Sequence, residues 1–242
     1  MKKIFFLGAV FLVGCASNPY SEFYRANENS IQNSIYLGEV KIIQSNDQNL
    51  DINNMLKKGY IIIGSSNFSA YQTNKNIDEL ITQAKKIGAE IVLFSSNFIR
   101  TETLNVTSVM PTTNVTYIGN TPITSYNSNI VNIPVNKNRN NYVATFLKKS
   151  SSRIGILAQD IPDNERLKRQ KNKGSKVMII VDDSPAFNAD ILVGDIIEEI
   201  NGITINNTNT AVEIFKDLDV KQFNLKLERN GMIVNKVITL IE

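Results

Sequence analysis

The sequence predicts an α+β fold in two small domains, on three observations. An amphipathic helix lies between two short apolar runs within residues 59–98, which indicates a β-α-β unit. The stretch Thr101–Asn141 is rich in Thr and Asn and almost free of charge, which predicts a β-hairpin extension. Near the C-terminus, Asn230-Gly231 separates two alternating runs and predicts a two-residue hairpin turn. A chain of 242 residues suits two such domains, 34–149 and 150–242, better than one large core.

The first residues have the pattern of a secretory signal. A short basic start precedes the apolar run Ile4–Val13, which is too short to span a bilayer as a helix. The run ends in Leu12-Val13-Gly14-Cys15, which resembles the lipobox of bacterial lipoproteins. The resemblance implies that residues 1–14 are a signal peptide and that Cys15 carries acyl chains such as palmitate, which anchor the mature chain in a membrane. The alternative is an ordinary secretory signal with an incidental cysteine.

The residues after the cysteine bear on location and attachment. In lipoproteins an Asp directly after the cysteine favours inner-membrane retention, whereas this chain has Ala16. The resemblance therefore implies the cell outer membrane, facing the periplasm. Residues 15–33 are polar and predict a lipid-anchored tether. Alternatively, the aromatic residues of this segment pack on the first domain or touch the membrane interface; they are Tyr20, Phe23 and Tyr24.

The charge balance argues against nucleic acid as a partner. The formal net charge is +3, and without Lys2 and Lys3 the chain has 24 basic residues facing 23 acidic ones. Binding to nucleic acid through its phosphates requires a broad basic field, which this composition does not supply.

The first domain is predicted to contain two helices and several short strands. Asp51 as an N-cap and Gly59 as a stop predict a short helix over Asp51–Lys58. Apolar spacing predicts a second helix over Asn76–Ile87, which Gly88 ends. The predicted strands are 34–43, 60–64, 89–94 and 141–148. The second and third are predicted to be parallel neighbours with a right-handed crossover, and Ser65–Phe68 to be a turn. The last strand alternates, with Tyr142, Ala144 and Phe146 on one face.

The uncharged stretch Thr101–Asn141 allows two interpretations. It predicts one or two partly exposed hairpins, or a long polar loop. A long uncharged hairpin offers an edge to a partner. The favoured alternative is that it packs on its own domain, because uncharged edges are usually covered.

Several motifs follow one another from Arg153 onward. Asp182-Asp183-Ser184-Pro185-Ala186 is a turn before a short helix, Val193-Gly194-Asp195-Ile196-Ile197 enters a strand, and Ile200-Asn201-Gly202 ends one. A further helix is predicted over Thr208–Leu218. In this order the motifs resemble the PDZ domain, in the form found in HtrA-type proteases and secretion proteins. The resemblance implies a PDZ-like partly open β-barrel with two helices.

That resemblance also implies a ligand groove. Arg153-Ile154-Gly155-Ile156-Leu157 takes the place of the family's carboxylate-binding loop, whose N–H groups can converge on an anion. A ligand would add as a strand beside Ile156–Asp160 and place its last side chain in an apolar pocket. Arg153 adds charge near the carboxylate or, alternatively, is a solvated residue at a strand start. The residues implied in peptide or carboxylate binding are Arg153, Ile154, Gly155, Ile156, Leu157, Ala211 and Phe215.

The composition argues against an enzyme. The chain has no histidine, which removes the Ser-His triad and histidine zinc sites. The lipobox resemblance implies that its one thiol, that of Cys15, carries lipid and is not a free nucleophile. A set of acidic residues falls in different turns and is predicted to be structural, not a metal or acid–base cluster: Asp182, Asp183, Asp195, Glu198 and Glu199. The sequence therefore predicts no catalytic residue, no metal and no cofactor.

Together these observations favour a lipid-anchored envelope protein that is not an enzyme. It would bind protein C-termini or exposed strands of envelope proteins through a PDZ groove, in an adaptor, quality-control or assembly role. One alternative is a structural docking component of an envelope or secretion complex, with an occluded groove. Another is an unknown activity of the first domain, which a deep pocket with convergent polar groups would indicate.

Overall fold

The computed structural model describes residues 18–27, 35–72, 76–217 and 219–240. The predicted signal peptide, the predicted lipid site at Cys15 and Leu218 lie outside these residues. The α+β prediction is confirmed, with a mixed sheet in the first half of the chain and an antiparallel sheet in the second. None of the helices in the described ranges has the length and apolar content that crossing a lipid bilayer requires.

The N-terminal domain is a five-stranded sheet with three helices. In chain order its elements are α1 Pro19–Glu22, β1 Tyr24–Ala26, β2 Lys41–Gln44, α2 Gln48–Lys57, β3 Tyr60–Tyr71, α3 Asn76–Ile87, β4 Ile91–Ile118 and β5 Thr121–Lys149. The strand order is β1-β3-β5-β4-β2. Only β2 and β4 pair in parallel, and the other neighbours are antiparallel.

The prediction that the two strands of the β-α-β unit are adjacent is wrong. β5 lies between β3 and β4 and is antiparallel to both, so the two predicted neighbours run in the same direction but do not touch. The predicted turn Ser65–Phe68 is also wrong, because β5 offers hydrogen-bond partners along β3 as far as Tyr71. Residues 35–40 are not strand, and only Lys41–Gln44 of that region pairs with the sheet.

The two predicted helices form, with one change of start. α3 has the predicted bounds, and its Leu80 and Ala84 are fully buried against the sheet. α2 begins earlier than predicted because Asp47, not Asp51, caps it by accepting hydrogen bonds from two main-chain amides. Asp51 instead accepts a 2.7 Å hydrogen bond from the Ser45 hydroxyl.

The described part of the predicted tether belongs to the folded domain. Tyr20 in α1 is 0% exposed and packs edge-to-face on Phe68 with 4.9 Å between ring centroids. Asn18 donates a 2.6 Å hydrogen bond to the Glu79 carbonyl, and β1 adds to the edge of β3. The tether prediction is therefore wrong for residues 18–27, because a buried aromatic ring and strand pairing fix this segment to the core.

A long two-stranded arm extends from the sheet. β3 accompanies β5 only to the pair Tyr71–Arg139, and beyond it β4 and β5 continue together to a turn at Gly119-Asn120. Residues 101–138 form this arm, which at about 3.3 Å per residue is roughly 60 Å long. Its side chains are mostly exposed, so the favoured expectation that the hairpin packs on its own domain is wrong.

The C-terminal domain is a six-stranded sheet that does not close, with three short helices. Its elements are β6 Ile156–Asp160, α4 Asp163–Arg169, β7 Ser175–Ile180, α5 Pro185–Asn188, β8 Ile196–Ile200, β9 Ile203–Thr204, α6 Thr208–Phe215, β10 Gln222–Arg229 and β11 Met232–Thr239. The strand order is β11-β10-β8-β7-β6, and β9 pairs with β8. The sheet and α6 enclose an apolar core that includes Ile197, Phe223 and Leu227.

Two polar contacts hold the turns of this domain. Asp195 is 2% exposed and accepts a 2.9 Å hydrogen bond from the Leu192 amide, as predicted for the residue after the Gly194 turn. The Arg229 guanidinium donates two 2.7 Å hydrogen bonds to the same carboxylate. A buried carboxylate with this many donors is a structural group.

Candidate functional site

The edge of the second sheet is the first component of the site. β6 is the terminal strand and pairs, among the described strands, with β7 alone. Its other side therefore presents main-chain N–H and C=O groups without a strand partner. Such an edge is a template for one more strand.

The loop that leads into β6 binds the core through its carbonyl groups. Gly155 has a φ of +82°, which glycine adopts without strain. The Gly155 and Ile154 carbonyls accept hydrogen bonds of 2.8 Å and 3.0 Å from the amides of Val181 and Ala186. The Gly155 amide lies 3.5 Å from the Ser152 hydroxyl, the limit of a hydrogen bond. Within the described ranges the structure gives the amides of Arg153 and Ile154 no partner, so this nest can receive an anion.

α6 lies opposite β6. One hydrogen bond connects the two sides of the space between them at each of its ends. Asn207 caps the helix by accepting a 3.0 Å hydrogen bond from the Thr210 amide. At the helix start, the Thr208 amide donates a 2.7 Å hydrogen bond to the Asp160 carboxylate at the end of β6. At the other end, Arg153 donates a 2.9 Å hydrogen bond to the Asp217 carbonyl. The space between β6 and α6 is therefore bounded at both ends.

Arg153 makes a contact that the sequence did not predict. Its exposed guanidinium joins the loop to the end of α6 through the Asp217 carbonyl. A guanidinium has five N–H donors, so this bond leaves others for a ligand carboxylate. One side chain can thus both position the loop and supply positive charge beside the nest.

The predicted apolar residues divide between core and groove. Ile154 and Ala211 are 1% and 2% exposed and belong to the core cluster. Ile156 and Leu157 are half-buried, and so is Phe215, whose ring packs edge-to-face on Phe223 at 5.2 Å. A ligand side chain would contact the half-buried residues first. It would reach Ile154 or Ala211 only if the half-buried side chains moved aside.

Val212 is the site residue that sequence reasoning missed. The Thr208 amide donates a hydrogen bond to the Asp160 carboxylate, which places the start of α6 beside the end of β6. Val212 and Phe215 follow Thr208 at i+4 and i+7 and share its face. Val212 is 42% exposed, an apolar side chain open to a ligand. The N-cap Asn207 is the sequence signal that could have found it. The cap fixes Thr208 as the first helical residue, from which the i+4 position is counted.

The N-terminal domain contacts the loop behind the nest. The Asp182 amide donates a 2.8 Å hydrogen bond to the Lys57 carbonyl at the end of α2. The neighbouring Val181 amide binds the Gly155 carbonyl. One short segment of the second domain therefore touches both the first domain and the glycine of the nest.

An ionic cluster lies apart from the groove residues. Arg169 holds the Glu228 carboxylate with two hydrogen bonds of 2.9 Å and 3.0 Å, and Lys171 adds another of 2.9 Å. Hydrogen bonds from Arg169, followed by those from Lys171, lower the pKa of Glu228 to about 2. Lys171 also donates a 2.8 Å hydrogen bond to Glu198, one of the acidic residues predicted to be structural. In the part of the chain that the structure describes, no group of acidic residues could hold a metal ion.

The comparisons with known proteins agree with this geometry. Residues 152–240 match the family model of the PDZ domain, so this part of the chain is a PDZ domain, a peptide-binding interaction module. The HtrA3 PDZ domain bound to the phage-derived ligand FGRWV is similar at 23% identity, over 36% of this chain and 81% of that chain, with a TM-score of 0.32.

HtrA-type proteases are also among the similar structures. The protease AlgW with a decapeptide is similar at 18% identity, over 36% of this chain and 28% of that chain, with a TM-score of 0.32. A variant of AlgW with a decapeptide has the same identity and a TM-score of 0.34, and the match covers 27% of its length. The chain thus matches about a quarter of these proteases. No curated protein matches the chain.

Proposed function

We propose that this protein captures the C-terminal tails of other proteins as an added strand on β6, by binding and without catalysis. The observation that carries the proposal is the unpaired edge of β6 beside α6, which begins at a loop whose amides the core does not use. The lack of histidine in the chain agrees with a non-catalytic role.

The groove geometry defines how a tail would bind. Its terminal carboxylate would lie at the amides of Arg153, Ile154 and Gly155, two of which have no partner among the described residues. Its main chain runs antiparallel to β6 and exchanges hydrogen bonds with the strand edge. β6 has five residues, so roughly five ligand residues fit before the chain passes the Asp160–Thr208 contact.

The apolar wall sets the preference for the last ligand residue. Val212, Phe215 and Ile156 offer apolar surface, whereas Ile154 and Ala211 are already packed in the core. A shallow pocket of this kind favours a medium apolar side chain, such as Val or Leu, over Trp or a charged residue. A panel of pentapeptides that differ only in the last residue tests this order.

We further propose that the chain is a lipoprotein anchored through Cys15 in the bacterial cell envelope, at the outer membrane facing the periplasm. If Cys15 carries the lipid, two residues separate it from Asn18, the first described residue. Three residue steps span at most about 10 Å, which would hold the first domain close to the lipid surface. Labelling with an alkyne fatty acid tests the anchor, with Cys15→Ser expected to abolish incorporation.

In this setting the partners would be envelope proteins with free tails or exposed strands. The role would be that of an adaptor or of a quality-control or assembly factor. Affinity capture from envelope extracts, with wild type and a Val212→Asp variant side by side, tests it. Partners that bind through the groove are expected to be lost with Val212→Asp.

A structural docking role is the second candidate, favoured by the contact between Asp182 and Lys57 across the two domains. In that case the PDZ half would serve as a fixed block and the groove would stay unused. One stoichiometric partner that is retained equally by wild type and Val212→Asp would support docking. Loss of the partner in the variant would support tail capture.

A further inference from the structure

The arm leaves two long strand edges without a partner. β5 pairs with β3 only as far as Arg139, and β4 pairs with β2 only over Ile91–Phe94. Past these points no other described strand lies beside β4 or β5. Natural sheet edges are usually protected by charges, prolines or bulges. Yet the sequence contains no charged residue from Thr103 to Asn136.

The structure shows which residues of the arm direct their main-chain groups outward. The Asn138 carbonyl accepts a 2.9 Å hydrogen bond from the Gln72 amide, on the side away from β4. Because outward and inward groups alternate along an antiparallel strand, the even-numbered residues of β5 within the arm point outward. Pro122 and Pro134 agree, since a proline has no N–H and occupies outward positions of a ladder.

The prolines protect the two edges unequally. On β4, Pro111 pairs with Ser128 and interrupts the outer edge in the middle of the arm. On β5, Pro122 and Pro134 stand at the two ends and leave an uninterrupted run between them. Ser128 is six residues from each proline, the exact middle of this run. The outward residues of the run are Thr124, Tyr126, Ser128, Ile130 and Asn132.

We propose that two copies of this chain associate through this run, which we call the β5 edge. The β5 strand of one copy lies antiparallel to the β5 strand of the other, with a two-fold axis at Ser128. Thr124 of one copy then lies opposite Asn132 of the other, Tyr126 opposite Ile130, and Ser128 opposite itself. The two arms form a continuous four-stranded sheet, with the prolines at both ends of the new ladder.

The chemistry of the β5 edge favours an identical partner. Symmetric dimers use the same surface on both copies, and the proline spacing is symmetric about Ser128. No charge within the run repels a second copy. Tyr126 and Ile130 are 83% and 74% exposed, and their cross-strand contact is of the aromatic–β-branched kind that stabilises sheets.

The dimensions are consistent with a reversible dimer. The run Thr124–Asn132 has nine residues and spans about 30 Å. Arg139 lies eleven residues from Ser128, so the folded bodies stand about 36 Å from the axis on opposite sides and do not collide. Two tyrosine rings bury roughly 300–500 Å² together. This is well below the roughly 1,200 Å² at which stable interfaces begin, so the dimer is expected to be weak and to depend on protein concentration.

A pair of proline variants of the full chain tests the proposal. Ile130→Pro removes an outward N–H from the middle of the β5 edge and leaves the bonds between β4 and β5 intact, as the native prolines do. Val109→Pro is the matched control, because Val109 pairs with Ile130 and points outward on the opposite edge. Light scattering over a range of protein concentrations is expected to give twice the monomer mass for wild type and Val109→Pro, and the monomer mass for Ile130→Pro.

Three outcomes overturn the proposal: a wild-type monomer at every concentration, an assembly larger than two copies, or equal loss of mass in both variants. Cysteine crosslinking checks the register without disturbing the strand, in a chain that also carries Cys15→Ser. Ser128→Cys places two thiols on the axis, where Cα atoms of a hydrogen-bonded pair are about 5.5 Å apart, within disulfide range. Oxidation is expected to give a covalent dimer with Ser128→Cys and none with Thr113→Cys on the other edge. Equal crosslinking at both positions, or none at Ser128→Cys, contradicts the pairing.

Discussion

Gly155 and Ser184 are packed so closely that a Cβ on Gly155 would lie 2.2 Å from both the Cβ and the Oγ of Ser184. Ser184 itself is 8% exposed and caps α5 by accepting a hydrogen bond from the Phe187 amide at 3.2 Å. A Cβ on Gly155 would therefore point toward Ser184, while the Gly155 carbonyl accepts a hydrogen bond from the Val181 amide. A side chain added there enters the core and not the ligand site.

We expect Gly155→Ala to destabilise the PDZ domain by about 2–4 kcal/mol, from the unfavourable positive φ together with the overlap with Ser184. Urea unfolding with tertiary and secondary probes measures the change. Gly155→Ala with Ser184→Gly is expected to recover part of the loss, because the second substitution removes the atoms that collide. An unchanged midpoint in the single variant would contradict the packing. Gly155 substitutions are thus unsuitable as groove mutants.

We expect Arg153→Ala to weaken binding of a free C-terminal tail about tenfold, because a charge-assisted contact contributes roughly 1.5–3 kcal/mol and part is shared with the Asp217 carbonyl. Arg153→Lys is expected to retain part of the affinity, since a lysine keeps the charge without the planar fork. Fluorescence anisotropy with a labelled peptide checks both. Equal affinity of all three proteins would exclude Arg153 from the site.

The ionic cluster predicts a pH dependence of stability. The pKa of Glu228 is lowered from its ordinary value of 4.5 to about 2, first by Arg169 and then by Lys171. A lowered pKa stabilises the fold above the unfolded value, and that contribution is lost as the pH falls from about 4.5 towards 2. The shift corresponds to about 3 kcal/mol at most. Unfolding free energies between pH 7 and pH 2 measure it.

The matched substitutions for this pH dependence are Glu228→Gln and Glu213→Gln. Glu213 is exposed on α6 and serves as the control. We expect Glu228→Gln to be less stable at neutral pH and to show a flatter acid limb, because the ion pair no longer titrates. A profile identical to wild type would show that the cluster contributes nothing.

The buried Tyr20 predicts that the N-terminal segment supports the first domain. Its hydroxyl is buried and has no hydrogen-bond partner among the described residues, and burial raises its pKa. We expect Tyr20→Phe to be neutral or stabilising by up to about 1 kcal/mol, since an unsatisfied polar atom is removed. Tyr20→Ala is expected to cost about 3–5 kcal/mol. Phe23→Ala, at a 47% exposed position, is the control and should cost much less.

Local patterns in the sequence predicted the elements that local interactions determine. α3 has the bounds that its apolar stripe indicates, and the order of PDZ motifs gave the second sheet and its groove. The place of β5 between β3 and β4 could not be predicted in this way, because strand order depends on contacts far apart in sequence. A return strand that pairs with both neighbours leaves no distinct local pattern.

Two errors concern single side chains. Nothing in the polar segment around Tyr20 distinguishes a buried ring from an exposed one, so the segment was predicted as a tether. On α6, Ala211 and Val212 differ by 100° around the helix, and the apolar spacing alone does not say which faces β6. The exposure in the structure distinguishes them, since Ala211 is 2% exposed and Val212 is 42% exposed.

The binding of one peptide in two chemical forms tests the central claim most directly. A tail that ends in valine is compared as the free acid and as the C-terminal amide, by calorimetry with the full chain. We expect the free acid to bind at least tenfold more tightly, because only a carboxylate fills the nest at Arg153–Gly155. Val212→Asp is expected to weaken the free acid strongly, while Val237→Asp, at a similarly exposed valine on β11, should not. Equal affinity for acid and amide would contradict the account.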